Sequence, residues 1–220
     1  MKKMLSTLVF LSGILLYAQV PQENDPKAKS ILDELSKLTK SYKTMSADYS
    51  FLALTKDKKQ LDKQTGKIQV KGSKFRLEIP GNLIVCDGKK VFNHNKDQKE
   101  LSIKCYEPSD DDMLDPTRIF TVYEKGFKCS FEKEVKSTAG TIQIINLYPT
   151  VKPEKKKFHT AKLYIDKSKK QITSLKLMMK DGGTQTFDIK KFVSNSELAE
   201  SLFAVDLSKF KQDEIVNECE

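Results

Sequence analysis

Tryptophan is absent from the 220 residues, and histidine and arginine occur twice each. Each shortage removes a class of function. A Ser-His-Asp or Cys-His triad would have to recruit His94 or His159. Neither lies in an HExxH or GxSxG context. His94 sits on a strand pattern beside a polar turn, and His159 follows the lysine run KPEKKKF, so both read as surface histidines. Arginine, whose planar fork does most specific base and phosphate recognition, is confined to Arg76 and Arg118. With no tryptophan and no phosphate-cradling glycine loop, stacking platforms for nucleic acid are not evident. Asp110, Asp111 and Asp112 are consecutive, whereas a calcium loop spaces its ligands around a glycine turn. They read as a solvated acidic loop, and no metal or cofactor is expected.

Cysteine is sparse as well, at positions 86, 105, 129 and 219. Four cysteines allow three pairings, but the spacing matches no known framework or CxxC site. Cys86 and Cys105 lie in apolar strand patterns, where a free cysteine behaves as a small hydrophobe. No essential disulfide is expected.

Long apolar runs are missing too, except at the start. Lys2 and Lys3 precede LSTLVFLSGILL (5–16), followed by Tyr17-Ala18-Gln19. This reads as a secretory signal peptide, cleaved near Ala18, because a membrane span needs about 20 residues. No cysteine follows the run, so the chain does not carry a bacterial lipoprotein signal of its own. Residues 19–220 then form one soluble, exported domain with a sizeable core, and the periplasm is the simplest location.

What is abundant is lysine. The formal charge is +9. A lysine-rich, arginine-poor surface is most simply a solvated one, with weak attraction to an anionic membrane or partner as the alternative.

The hydrophobic pattern begins with a helix. Asn24 or Asp25 caps it and Pro26 suits its first turn; Ile31, Leu32, Leu35, Leu38 and Tyr42 form one apolar stripe. The period then changes to two. MSADYSFLALT, TGKIQVKG, KFRLEIP, NLIVCDG, KKVFNHN and KELSIKCYE are successive short strands separated by turn residues. A short apolar helix is expected between Asp115-Pro116 and Gly126, carrying Ile119, Phe120, Val122 and Tyr123. Strand patterns resume with GFKCSFEKEV, TIQIINLYP, AKLYIDK, QITSLKLMMK and TQTFDIKKFV. The tail looks irregular, with a last strand near Ile215. Ten or eleven antiparallel strands with two helices fit a curved sheet or open barrel with helices across its mouth.

Cys86, Asp87 and His94 fall within nine positions and could pass for a reactive corner. The strand reading dissolves it. Asp87-Gly88 forms a two-residue turn pairing 86 with 89 and 83 with 92, which puts Cys86 on the face opposite Phe92 and His94. What remains is a large apolar inner surface of the kind that encloses apolar ligands.

SADYSF (46–51), GKIQVKGSKFRLEIPGNLIVCDGKKVFNHN (66–95), DPTRIFTVYEKGFK (115–128), LYIDKSKKQITSLKLMMKDGGTQTFDIKKF (163–192) and SLFAVD (201–206) together carry a resemblance. In order and spacing the chain resembles the periplasmic outer-membrane lipoprotein carriers, the LolA family, and the Bacteroidetes variants of it most of all. The resemblance implies a mainly β fold with α: an unclosed antiparallel β-barrel of about eleven strands, with helices forming a lid over an apolar cavity. It implies a non-enzymatic carrier that receives acylated lipoproteins from an inner-membrane lipoprotein-releasing ABC transporter. The carrier shields their acyl chains and delivers them to the outer membrane, where the acceptor is unidentified. A monomer is expected, with no nucleic acid partner. Where better-known members carry a lid-steadying arginine, this chain has Gly72 and Ser73. Phe75 matches an aromatic position at the mouth, toward the transporter.

The acyl-chain cavity is expected to draw on Phe75, Leu77 and Ile79 as one inward row. Leu83, Val85 and Phe92 are expected to share a face across the Asp87-Gly88 turn. Tyr49, Phe51, Ile119, Phe120 and Tyr123 are further candidates. Two other readings stay open: a binder of another lipid or apolar ligand on the same fold, and a non-enzymatic regulatory or scaffold protein of the envelope.

Overall fold

A computed structural model describes residues 23–107, 122–137 and 140–219. Its first element is helix α1, Pro26–Lys40, capped by Asp25, whose side chain accepts from the backbone N–H groups of Lys27 and Ala28. Ala28, Leu32, Leu35 and Thr39 recur at three- and four-residue steps and are buried, as a one-sided amphipathic helix requires.

Two antiparallel meanders follow. The first comprises β1 (Thr44–Leu54), β2 (Gln60–Lys71), β3 (Lys74–Ile79), β4 (Asn82–Cys86), β5 (Lys90–Asn95) and β6 (Glu100–Cys105). The second comprises β7 (Phe127–Ser137), β8 (Gly140–Pro149), β9 (Phe158–Asp166), β10 (Gln171–Met179) and β11 (Thr184–Ser194). β1 joins them by pairing with β11 along its whole length, from Met45 opposite Ser194 to Leu54 opposite Thr184. A short β12, Ile215–Asn217, adds to β6 in parallel. The twelve strands make one sheet in the order β12-β6-β5-β4-β3-β2-β1-β11-β10-β9-β8-β7, with β12 and β7 as unjoined edges. The barrel is therefore open, as expected, with one strand more than the resemblance implied.

The edge at β7 is not left bare. The N–H of Asp25 donates to the Cys129 carbonyl at 3.0 Å. The Asn24 side chain accepts from the Cys129 N–H at 2.9 Å, and Asp25 Oδ2 accepts from the Phe131 N–H at 2.9 Å. The start of the helix thus satisfies backbone groups that would otherwise template aggregation. From there α1 covers the concave face, and its buried side chains share one core with Met45, Ile68, Val70, Phe75, Leu147 and Leu163.

The opposite, convex face carries a second core. Val85, Phe92, Leu101 and Ile103 are buried there beneath Val205, Phe210 and Ile215 of the C-terminal tail. The tail runs through 3₁₀ turns at Glu200–Phe203, Leu207–Lys209 and Gln212–Glu214 before reaching β12. It is held by Glu200, which pairs with both Lys71 and Lys74 at 2.7 Å. Those two ammonium groups hold the Glu200 carboxyl down at about 2. A disulfide between Cys105 and Cys219 closes the end, with Cα atoms 4.8 Å apart. This corrects the expectation of no essential disulfide. Cys105 ends β6 and is exposed, so it never had the core role its apolar neighbours implied. Cys86 and Cys129 are buried.

The helix expected between Asp115 and Gly126 lies mostly outside the described residues. Its last part, Val122–Glu124, is a 3₁₀ turn, tied to α1 by Lys40 with Glu124 at 2.7 Å.

Candidate functional site

The concave face holds a cavity of about 310 Å³. Its walls come from six strands that alternate inward and outward with period two. β1 supplies Ala47, Tyr49 and Phe51; β2 supplies Gln64 and Ile68; β3 supplies Leu77 and Ile79. Across the β1–β11 seam, Gln185, Phe187 and Ile189 continue the wall, and β10 and β9 add Ile172, Leu175 and Leu163. All are apolar or aromatic except the two glutamines.

Registers explain why these residues converge. Phe51 lies opposite Gln64 on one side and Phe187 on the other. The Phe51 and Phe187 rings pack with centroids 4.7 Å apart. Tyr49 lies opposite Gly66 and Ile189, and Ala47 opposite Ile68. The register shift at Asp48 and Tyr49 skips Lys190, a bulge in β11 that leaves the alternation of β1 intact. The wall is graded. Ala47, Ile68, Leu163, Ile172 and Leu175 are buried, whereas Phe51, Gln64, Ile79 and Gln185, toward the β1–β2 and β10–β11 loops, are half-buried. The cavity opens toward those loops. Gln64 and its neighbour Asp62, joined by a 2.7 Å hydrogen bond, stand near that opening.

The chemistry is that of a binding site. Burial pushes the Tyr49 hydroxyl up from its ordinary value, so it stays a neutral phenol. Burial likewise pushes up the Cys129 thiol. His94 packs edge-on against Phe210 of the tail on the convex face, and His159 is exposed beside Thr160. Among the described residues, no three His, Cys, Asp or Glu side chains gather as metal ligands. Asp110, Asp111 and Asp112 lie outside those residues.

Of the expected cavity residues, Tyr49, Phe51, Leu77 and Ile79 line this cavity. Phe75 points the same way, but it is only 4% exposed and packs edge-on against Tyr106 in the core. It does not stand at a mouth. Leu83, Val85 and Phe92 do not reach the cavity, because they face the tail on the convex side. The reason is one of parity. Ile79 pairs with Asn82 and Leu77 with Ile84, so the inward row of β3 continues into Ile84 and Cys86. The Asp87-Gly88 connection is also longer than two residues, pairing Cys86 with Val91 and Val85 with Phe92. This two-residue slip leaves the three side chains on a shared face, which is the outer one. Tyr123 is buried beside α1, Phe127 and Cys129, away from the cavity. Ile119 and Phe120 lie outside the described residues. The sequence reading missed the β9–β11 half of the wall. Phe187, Ile189, Leu163 and Leu175 stood in plain alternating strands, but their pairing with β1 is long-range and has no local signal.

Comparison with known proteins follows the same outline. No match is found among curated proteins. Among solved structures, an uncharacterized conserved protein from Thermus thermophilus superposes with TM-score 0.57 at 16% identity, over 87% of this chain and 99% of that one. LprF from Mycobacterium bovis gives 0.48 at 10% identity, over 80% and 97%. A putative outer membrane lipoprotein-sorting protein domain from Vibrio parahaemolyticus gives 0.46 at 9% identity, over 80% and 96%. The first of these shows a shared fold. The model of one family, outer membrane lipoprotein carrier protein LolA, matches residues 40–206. With three quarters of its length matched across the cavity-forming strands, the chain belongs to the LolA family.

Proposed function

We propose that the protein is a periplasmic carrier that shields the acyl chains of lipoproteins on their way from the inner to the outer membrane. It does so without catalysis. The observation that carries this reading is the apolar cavity on the concave face, walled by six strands and open at one end. A buried CH₂ contributes about 0.8 kcal/mol, so a long alkyl chain cannot cross water unshielded. Such a cavity lowers that barrier, and membership of a carrier family agrees with it. On this reading the donor is an inner-membrane lipoprotein-releasing ABC transporter.

The volume favours one alternative use of the same site. About 310 Å³ lies at the low end of small-molecule pockets, roughly 300–1,000 Å³. It suits a single-chain lipid better than the several chains of a lipoprotein, for which the cavity would have to widen.

Mass spectrometry of molecules extracted from the protein purified out of the cell envelope separates the two. An acylated lipoprotein or its acylated N-terminal peptide supports the carrier. A free lipid supports the alternative. Normal lipoprotein localisation after depletion, in cells without a second carrier, would sink the carrier reading.

A further inference from the structure

The loops around the open end of the cavity concentrate positive charge. Three connections meet there. The β1–β2 loop carries Lys56, Lys58 and Lys59; the β8–β9 loop carries Lys152, Lys155, Lys156 and Lys157; the β10–β11 turn carries Lys180. They touch one another. The Lys180 N–H donates to the Lys157 carbonyl at 2.9 Å, and its ammonium reaches the carbonyls of Pro153 and Glu154 at 2.7 and 3.1 Å. The Lys56 side chain lies against Gly182, its Cγ 3.0 Å from where a Cβ on that glycine would stand. Against these eight lysines the same loops hold only Asp57, Glu154 and Asp181.

Elsewhere many lysines are matched. Lys40 meets Glu124, Lys71 and Lys74 meet Glu200, Lys104 meets Glu218, Lys167 meets Glu134 and Lys170 meets Glu34. Among the described residues, no ion pair joins Lys56, Lys58, Lys59, Lys155 or Lys157, and all five are exposed. Two apolar side chains stand out at the same end: Leu61 is 67% exposed and Val151 44%.

We propose that this rim docks the protein on a membrane surface rich in anionic phospholipid head groups, with the cavity opening facing the bilayer. The chemistry selects that partner. Phosphate head groups need positive charge without fixed geometry, which mobile lysine ammonium groups supply and arginine forks are not required for. Leu61 and Val151 add apolar tips able to enter the head-group layer. A chain leaving the half-buried Phe51–Ile79 end would meet lipid before it met bulk water. The docking surface does not depend on which lipid the cavity holds.

The test uses the chain from Gln19 onward, which contains every described residue and lacks the apolar leader that would itself insert. Binding is measured by co-sedimentation with vesicles of phosphatidylethanolamine and phosphatidylglycerol, and with phosphatidylcholine vesicles, in about 0.1 M salt, where the screening length is about 10 Å. Each lysine close to an anionic surface strengthens binding roughly five-fold before screening. The variant K56Q/K59Q/K155Q/K157Q should therefore bind the anionic vesicles at least tenfold more weakly. The charge-matched variant K104Q/K169Q/K190Q/K209Q should bind within about twofold of wild type. Wild type should not pellet with phosphatidylcholine. Equal losses in the two variants, or no anionic binding by wild type, overturn the proposal. So does capture of an acidic envelope protein by the rim in the absence of vesicle binding. Alkyl-probe affinity, measured alongside, should be unchanged in the rim variant, so that failure of docking is distinct from failure of the cavity reading.

Discussion

Tyr49 lies flat across Gly66, its cross-strand partner: a Cβ on Gly66 would stand 2.5 Å from the Tyr49 hydroxyl and 2.7 Å from the Glu78 carbonyl. An aromatic ring packed over a strand glycine restores the apolar area the glycine lacks. Here it also decides the cavity. The ring keeps to the wall because β2 has no side chain at that point. Gly66→Ala should force the ring inward or push β3 away, costing about 1–3 kcal/mol by overpacking. The expected result is a lower Tm together with several-fold weaker binding of an alkyl probe. Unchanged probe affinity would show that Tyr49 does not shape the cavity.

Phe51 and Phe75 separate binding from folding, although both point to the concave side. Phe75 is closed off in the core, so Phe75→Ala should cost about 3–5 kcal/mol, and Phe75→Glu should prevent folding. Phe51 is half-buried at the open end, so a carboxylate there keeps access to water. Phe51→Glu should leave the circular dichroism spectrum intact while weakening alkyl-probe binding at least tenfold. Retained affinity in that variant would remove Phe51 from the site.

The convex face depends on a covalent staple. Cys105–Cys219 spans 114 residues, and in the chain-entropy account a loop of that length stabilises by about 4–5 kcal/mol. The staple fixes a tail that covers Val85, Phe92, Leu101 and Ile103. Cys105→Ser/Cys219→Ser, or reduction of the wild type, should lower Tm markedly and raise binding of a hydrophobic dye as the tail lifts. Reductant should have no further effect on the double variant.

How far the sequence reveals this molecule follows from the range of each interaction. Alternation within a strand is local, so β1 and β3 to β6, as well as the Asp25 cap and Pro26 start, are legible. Face assignment across a turn is less so. Ile79–Asn82 pairing turned Leu83 and Val85 outward, and only the tail, more than a hundred residues later, gives their apolar side chains something to cover. The polar start of β2, Gln60–Gln64, shows no alternation because its inward residues are Asp62 and Gln64. Both sit near the cavity opening, where polarity is tolerated. The β1–β11 seam that builds half the cavity leaves no trace in either strand alone, and neither does the pairing of Cys105 with Cys219.

Asp25 performs two tasks with two oxygens, and acid should separate them. Oδ1 caps α1, and Oδ2 accepts the Phe131 N–H of edge strand β7. The Phe131 N–H, foremost, and then those of Ala28 and Lys27 hold the Asp25 carboxyl below its ordinary value against the opposing effect of burial. A depressed carboxyl contributes its full stability above the ordinary aspartate value of about 3.9 and loses it as pH falls through the lower folded value. Asp25→Asn keeps an acceptor for the cap but presents an NH₂ group to the Phe131 N–H. Asp25→Ala removes all three side-chain bonds and should cost about 1–2 kcal/mol at neutral pH; Asp25→Asn should cost less. The wild-type advantage over Asp25→Asn should be constant from pH 5 to pH 8, fade below about 4, and vanish in stronger acid. Urea titrations at each pH measure it. An advantage that persists undiminished well below the ordinary aspartate range would show that the latch to β7 does not rest on the ionised carboxylate.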